Sequence, residues 1–388
     1  MLTRIWLTLK QHRFETIAVL VVCGGLTIAA LIEAFRLNSI NLTLDCLQTY
    51  QGPYLDPGQG PITAAQQHCN EVAQKFFDTK QGTDMSLVGG LLLFAPLIAG
   101  IVFGAPIVAK EIEQGTAPLS WSLAGSRRRW LLGKVLAGVL IIVPLMLAMG
   151  LVANLFDGAQ QPGLDPYASF DNYQSRGLID VFWALAAFAG TLSLGTILGR
   201  TMPAVILALV VCFFVRVAWE GAMTHLVLQP FAIEQQQQPD AANGSLSPMY
   251  MYYGGQVDMF VYSKTFLDGK EISQDQANNW YENNMVCVPM EAPTPGATPS
   301  AGASGSPGDT SSPGASATPD DSKFGNGSSG IACQGPNIDP SHQPQYVQYV
   351  IPGAWYWRVV GLESVILFLG SLFLGAIAFV WVDRRRPY

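Results

Sequence analysis

Apolar stretches recur along this 388-residue chain, and nothing else in it constrains the fold as strongly. A helix needs about 20 apolar residues to cross ~30 Å of hydrocarbon. Six segments meet that length: 16–34, 85–109, 130–156, 178–198, 202–221 and 355–382. A charged fraction of 13%, about half the usual level, and a hydrophobic fraction of 49% agree with them. The chain therefore reads as a polytopic membrane protein. Its net charge of -7 lies mostly in loop acids, and no basic domain remains for nucleic acid.

The first span has basic flanks, as a signal peptide would. No small-x-small cleavage site follows it, since Ile32-Glu33-Ala34-Phe35-Arg36 stands there, so it is expected to be retained. Residues 1–15 place Leu2, Ile5, Trp6 and Leu9 on one helical face with Arg4, Lys10 and Arg13 elsewhere, the pattern of an amphipathic interfacial helix. Gly199-Arg200-Thr201 alone separates the fourth and fifth spans, which must form a tight hairpin.

Orientation follows the basic residues. With both termini on one side, that side carries Arg4, Lys10, Arg13, Lys110, Arg127–Arg129, Lys134, Arg200 and Arg384–Arg386, 12 of the 21 Lys and Arg. Both termini are then cytoplasmic. The outer side receives loops 36–84 and 157–177 and a large insertion, 222–354. Within the insertion, 33 of the 40 residues from 291 to 330 are Pro, Gly, Ser, Ala or Thr, which predicts disorder. Its flanks at 249–253 and Trp280-Tyr281 are aromatic and could fold as a small cap. The fold class is thus all-α and polytopic, with six transmembrane helices and a partly disordered extracellular insertion.

Of six cysteines, Cys23 and Cys212 fall inside spans as small apolar fillers. Cys46, Cys69, Cys287 and Cys333 all fall in outer loops, where disulfides persist. Four cysteines allow three pairings; Cys46–Cys69 and Cys287–Cys333, each within its own loop, are favoured.

No P-loop, HExxH, CxxC or GxSxG motif occurs, and the four histidines lack ligand spacing, so neither a catalytic nor a metal site is expected. Ionisable groups inside spans are the remaining chemical candidates. Arg216 and Glu220 share one helix face, and Glu363 lies two turns inside the sixth span. A charge pair between the fifth and sixth spans, or simple snorkelling near their outer ends, accounts for all three. Pro96 and Pro106, with Gly100 and Gly104 in a GxxxG spacing, predict a kinked second span with close neighbours.

The loop 110–134 is the longest polar interruption on the basic side. It opens with Glu111 and Glu113, breaks at Gly115-Thr116-Ala117-Pro118 and closes with Arg127-Arg128-Arg129. Thr116 or Ser120 can cap a short helix through Trp121 and Leu123, and Ser126 can cap the third span. The two carboxylates beside an apolar knob at Trp121 and Leu123 suit docking into a partner's groove.

Glu111-Ile112-Glu113-Gln114-Gly115-Thr116, followed by Ser126-Arg127-Arg128-Arg129-Trp130-Leu131-Leu132-Gly133-Lys134, resembles the first cytoplasmic loop of type-2 ABC exporter permeases. Six spans, an amphipathic N-terminal helix and the Arg-rich tail fit the same pattern. The chain resembles in particular the drug and antibiotic exporter permeases of Gram-positive, high-GC bacteria. The long disordered insertion departs from the family plan.

The resemblance implies a plasma-membrane permease that pairs as a dimer, expected to be a homodimer. It would work with a separate cytoplasmic ATPase subunit that binds the ATP and Mg, so this chain would hold no cofactor. Glu111, Glu113, Gly115, Thr116, Trp121 and Arg127–Arg129 would form the coupling loop. An apolar cavity lined by the second and fifth spans would suit an amphipathic or lipophilic cargo. The rival expectations are a proton-coupled secondary transporter using Glu363, and a receptor or scaffold built on the insertion.

Overall fold

The computed structural model describes residues 13–43, 46, 63–124, 126–163, 165–235, 258–284, 286–289, 331–334 and 342–384. Most of the expected amphipathic helix at 1–15, the tract 291–330 and the aromatic run 249–253 lie outside them. The helices are α1 (Arg13–Asn38), α2 (Ala64–Lys80), α3 (Thr83–Gly104), α4 (Pro106–Glu113), α5 (Ala117–Ala124), α6 (Arg127–Gln160), α7 (Ile179–Leu198), α8 (Thr201–Ala222), α9 (Gln274–Asn284) and α10 (Tyr356–Arg384). The strands are β1 (Ile233–Glu234), β2 (Met259–Leu267), β3 (Lys270–Ile272), β4 (Val286–Pro289), β5 (Ile331–Gln334) and β6 (Gln345–Ile351).

The chain divides into Met1–Tyr262 with Tyr349–Tyr388, and Ser263–Gln348. The first unit holds six helical stretches long and apolar enough to cross a membrane: Arg13–Asn38, Met85–Glu113, Arg127–Gln160, Ile179–Leu198, Thr201–Phe231 and Gly353–Arg384. Each contains most or all of one expected span and runs further wherever polar residues continue the helix. α7 is central and packs on α3, α4, α6, α8 and α10, while α1 lies on α3 and α6.

Small residues permit that central packing. A Cβ on Gly100 would meet Ala187 Cβ at 2.7 Å, and one on Gly104 would overlap Thr191 and the Phe188 carbonyl. The GxxxG pair is therefore the seam between α3 and α7 of one chain. Thr191 Oγ1 donates to the Gly100 carbonyl at 3.3 Å across this seam. The expected kink falls at Ala105-Pro106, where α3 ends and α4 begins; Pro106 sits at the first turn of α4, which tolerates its missing N–H. The fourth-to-fifth hairpin turns on Gly199, whose φ of 63° is left-handed and suits glycine.

At the end of the bundle away from loop 110–134, residues 165–177 fold onto the helices. Arg176 is buried, donating to Asp157 Oδ2 at 2.6 Å and to the Ser169 carbonyl at 2.5 Å, with its guanidinium over the Tyr356 ring. Removing one member of such a buried pair typically costs about 3–5 kcal/mol. The disulfide Cys46–Cys69 ties the start of α2 to the segment after α1. Cys23 and Cys212 are free. In this unit β1 pairs antiparallel with β6, and Tyr262 stacks on Tyr349 with centroids 4.5 Å apart.

The second unit brings strands into a fold expected to be helical. β2 and β3 form a hairpin with Leu267 opposite Lys270. Asp268 and Gly269 both take positive φ, 50° and 75°, as a tight two-residue turn demands. α9, which carries Trp280 and Tyr281, starts with Ser273 and Gln276 capping one another's backbone N–H groups. β4 and β5 pair antiparallel, with Cys287 opposite Cys333 in the backbone register.

Candidate functional site

The turn after α4 explains the Glu-x-Glu-x-Gly-Thr spacing. Gly115 has φ 70° and donates to the Ile112 carbonyl at 3.2 Å, and Thr116 N–H donates to the Glu111 carbonyl at 3.0 Å. These two bonds make a Schellman cap, whose left-handed position glycine occupies without strain. Thr116 Oγ1 also donates to the Glu111 carbonyl, at 3.3 Å, and Ser120 N–H bonds back to Thr116 O as α5 begins. Ser126 caps α6 as expected, its hydroxyl accepting from Arg129 N–H.

The two carboxylates turn toward the bundle. Glu111 is 3% exposed and accepts from Lys134 Nζ at 2.5 Å and from Trp130 Nε1 at 3.2 Å, which joins α4 to the first turns of α6. The reason is helical phase: Glu111 lies on the same α4 face as Ile107 and Val108, which pack in a cluster with Trp130 and Leu131. Glu113 is exposed, yet its Oε2 accepts from the backbone N–H of Thr201 at 2.9 Å. It thus places negative charge at the N-terminus of α8, where the helix dipole favours it.

The arginines divide their work. Arg127 Nη1 donates to the Val382 and Asp383 carbonyls at 3.4 and 3.1 Å, satisfying open groups at the C-terminal end of α10. Its guanidinium also lies 4.6 Å from the centre of the Trp121 ring. Arg128 Nε donates to Asp383 Oδ2 at 2.6 Å. Arg129 is exposed. Lys110 pairs with Glu15 of α1 at 3.3 Å. The loop is thereby fastened to α1, α6, α8 and α10.

Trp121 meets Trp130 edge-on at 6.1 Å and is half-buried, so it packs inward. Among the described side chains of α5, Leu119 is exposed, 66% accessible, beside the exposed Pro118; the side chain of Leu123 lies outside the described residues. Sequence reasoning passed over Leu119, the structural partners Trp130 and Asp383, and Glu15. The one available signal was helical spacing from Leu119 to Leu123.

Among the intramembrane charges, Arg216 and Glu363 are buried and Glu220 is exposed. Arg216 Nη1 donates to Gln174 Oε1 at 2.5 Å, with its guanidinium over the Trp183 ring. Glu363 accepts from Trp219 Nε1 at 2.7 Å. The structure thus connects Arg216 to loop 165–177 and Glu363 to an indole of α8, and among the described residues no ion pair joins the three. Asp180, fully buried in the first turn of α7, escaped the sequence reading because it falls at the polar edge of a span. No group of three potential metal ligands occurs among the described residues.

No curated protein matches the chain, and no solved structure does. A family model does, that of ABC-2 membrane transporter related proteins, over residues 14–223. Those residues include the first five spans and the whole of loop 110–134. Because this match takes in more than half of the 388 residues, the chain belongs to the ABC-2 membrane transporter related family.

Proposed function

We propose that this ABC-2 type permease is the membrane half of an ATP-driven exporter, of the kind found in Gram-positive, high-GC bacteria. Two copies pair in the plasma membrane with both termini cytoplasmic, and each rests on a separate ATPase subunit that binds ATP and Mg and does all the hydrolysis. The cargo is an amphipathic or lipophilic small molecule.

The observation that carries this reading is the two-sidedness of loop 110–134. Its inner side is bonded to four helices through Glu111, Glu113, Lys110, Arg127 and Arg128. Its outer side leaves Pro118, Leu119 and Arg129 uncovered. A partner that pushes on α5 moves a rigid turn. The push reaches α6 through the Glu111–Lys134 pair, α8 through Glu113, and α10 through the two arginines. Nucleotide-driven motion outside the membrane is then coupled to tilting of the spans, a free-energy linkage between two sites.

Affinity purification from native membranes in mild detergent tests it, scoring co-purified chains for a P-loop ATPase. Wild type retains the ATPase, while Leu119→Asp, a change at an exposed position, loses most of it. An apolar anchor at an interface centre commonly carries about 2 kcal/mol or more, roughly thirtyfold in affinity. Absence of any ATPase from the wild-type preparation would sink the exporter reading; retention by both would move the docking surface elsewhere.

A further inference from the structure

A cavity of about 260 Å³ lies in the first unit between α2, α3 and α6, at the end of the bundle away from loop 110–134. Its wall is mixed: Lys80, Ser86, Gln160 and Asn172 offer polar groups, and Leu92 and Phe156 offer apolar surface. Asp157 also lines it, but that carboxylate is taken by Arg176 at 2.6 Å and by Asn172 Nδ2 at 3.3 Å. Asp171, the other carboxylate near Lys80, is bonded to Gln161 Nε2. Lys80 itself is half-buried, and among the described residues no hydrogen bond or ion pair holds its ammonium. Lys80 is therefore a lining cation that lacks a contact partner among the described residues, while both nearby carboxylates are held by other groups.

Depth and neighbours narrow the ligand class. Lys80 precedes the span Met85–Glu113 by five positions, so the cavity sits where hydrocarbon gives way to head groups. Two of its lining residues, Ser86 and Gly90, are exposed on α3, next to Leu87 and Leu91 at 62% and 46% exposure. Its volume is just under the ~300–1,000 Å³ of sites that enclose a whole drug-sized ligand, and so suits a polar head with its tail left outside. We propose that this cavity takes the phosphate head group of an anionic membrane lipid, with Lys80 as counter-charge and the acyl chains along Leu87 and Leu91. A lysine binds phosphate as a point charge, and the amide and hydroxyl donors of Gln160, Asn172 and Ser86 complete the cradle. Burial pushes the Lys80 pKa down, against the pull of Asp171 and Asp157. A bound phosphate would reverse that.

The test uses the full-length chain purified in mild detergent and offered phosphatidylglycerol, phosphatidylcholine or excess inorganic phosphate, with retained lipid counted by native mass spectrometry. Wild type should hold phosphatidylglycerol over phosphatidylcholine by roughly fivefold, the scale of one lysine at an anionic surface. Lys80→Gln should erase the preference, and Lys75→Gln, at an exposed position outside this cavity, should keep it. Gly89→Leu fills the cavity from a site where an added Cβ meets nothing within 4 Å, and so decides the matter even if Lys80→Gln fails to fold. Equal preference in wild type and Gly89→Leu overturns the proposal. Displacement of the lipid by inorganic phosphate also overturns it, by assigning the cavity to a soluble anion. No ATPase is present in this assay, so its failure leaves the exporter reading where it stood.

Discussion

Glu111 shows how a single side chain can be chosen for the inside of a junction. A carboxylate 3% exposed is costly to bury, and it persists because Lys134 Nζ and Trp130 Nε1 both reach it. Lys134→Met leaves that carboxylate with the indole alone and should destabilise the purified chain by about 3–5 kcal/mol. Adding Glu111→Gln to Lys134→Met should recover most of the loss, since no charge is then stranded. Thermal unfolding of the two single variants and the double variant in detergent completes the cycle. A double variant as unstable as the sum of the singles would mean that the pair is not what holds α4 to α6. Glu113 makes the contrasting case, an exposed carboxylate whose contribution is to cap the first N–H of α8.

Between elements, the seam of α3 on α7 is set by what is missing from Gly100 and Gly104. Gly104→Leu would drive a side chain into the Phe188 carbonyl, which the α7 backbone fixes, and against Thr191, whose Cβ stands 3.0 Å away whichever rotamer the hydroxyl takes. Overpacking of this kind costs about 1–3 kcal/mol, so the thermal midpoint should fall clearly. Gly24→Leu, where an added Cβ has open space, should leave it unchanged. A Gly104→Leu midpoint equal to wild type would show that the seam is looser than its contacts imply. These elements were legible in the sequence to different degrees. Span positions, the 199–201 hairpin and the Ser126 cap depend on neighbours within a few residues, and all can be read locally. The direction of Glu111 depends on Lys134, 23 positions on, and becomes visible only once α4 and α6 are packed. Spacing alone cannot reveal that Arg216 reaches Gln174 and the Trp183 ring, or that Glu363 accepts from Trp219. The strands of the insertion escaped because β6 closes against β1 more than a hundred residues earlier, and such short strands carry little periodicity of their own.

For the whole molecule, the question is whether the insertion contributes to transport or merely accompanies it. The pairing of β4 with β5 ends with Pro289 opposite Ile331, so everything between them leaves and re-enters a single two-stranded ladder. Such a ladder closes well on a two-residue turn with left-handed backbone, for which Asn-Gly is the preferred sequence. Replacing 290–330 by Asn-Gly should therefore keep the ladder and the register of Cys287 against Cys333. Loop-closure entropy changes only by a few kcal/mol at most and favours the shorter connection. An exporter whose energy enters through loop 110–134 should keep ATPase association and drug efflux within about twofold of wild type, since the bonds of that loop among the described residues run to α1, α6, α8 and α10. A receptor or scaffold that binds its ligand through the insertion should lose its activity altogether. Efflux of a fluorescent lipophilic dye from cells carrying either form, with surface expression measured in parallel, separates the two. Abolished efflux at normal expression would shift the functional centre from the basic end of the bundle to the insertion.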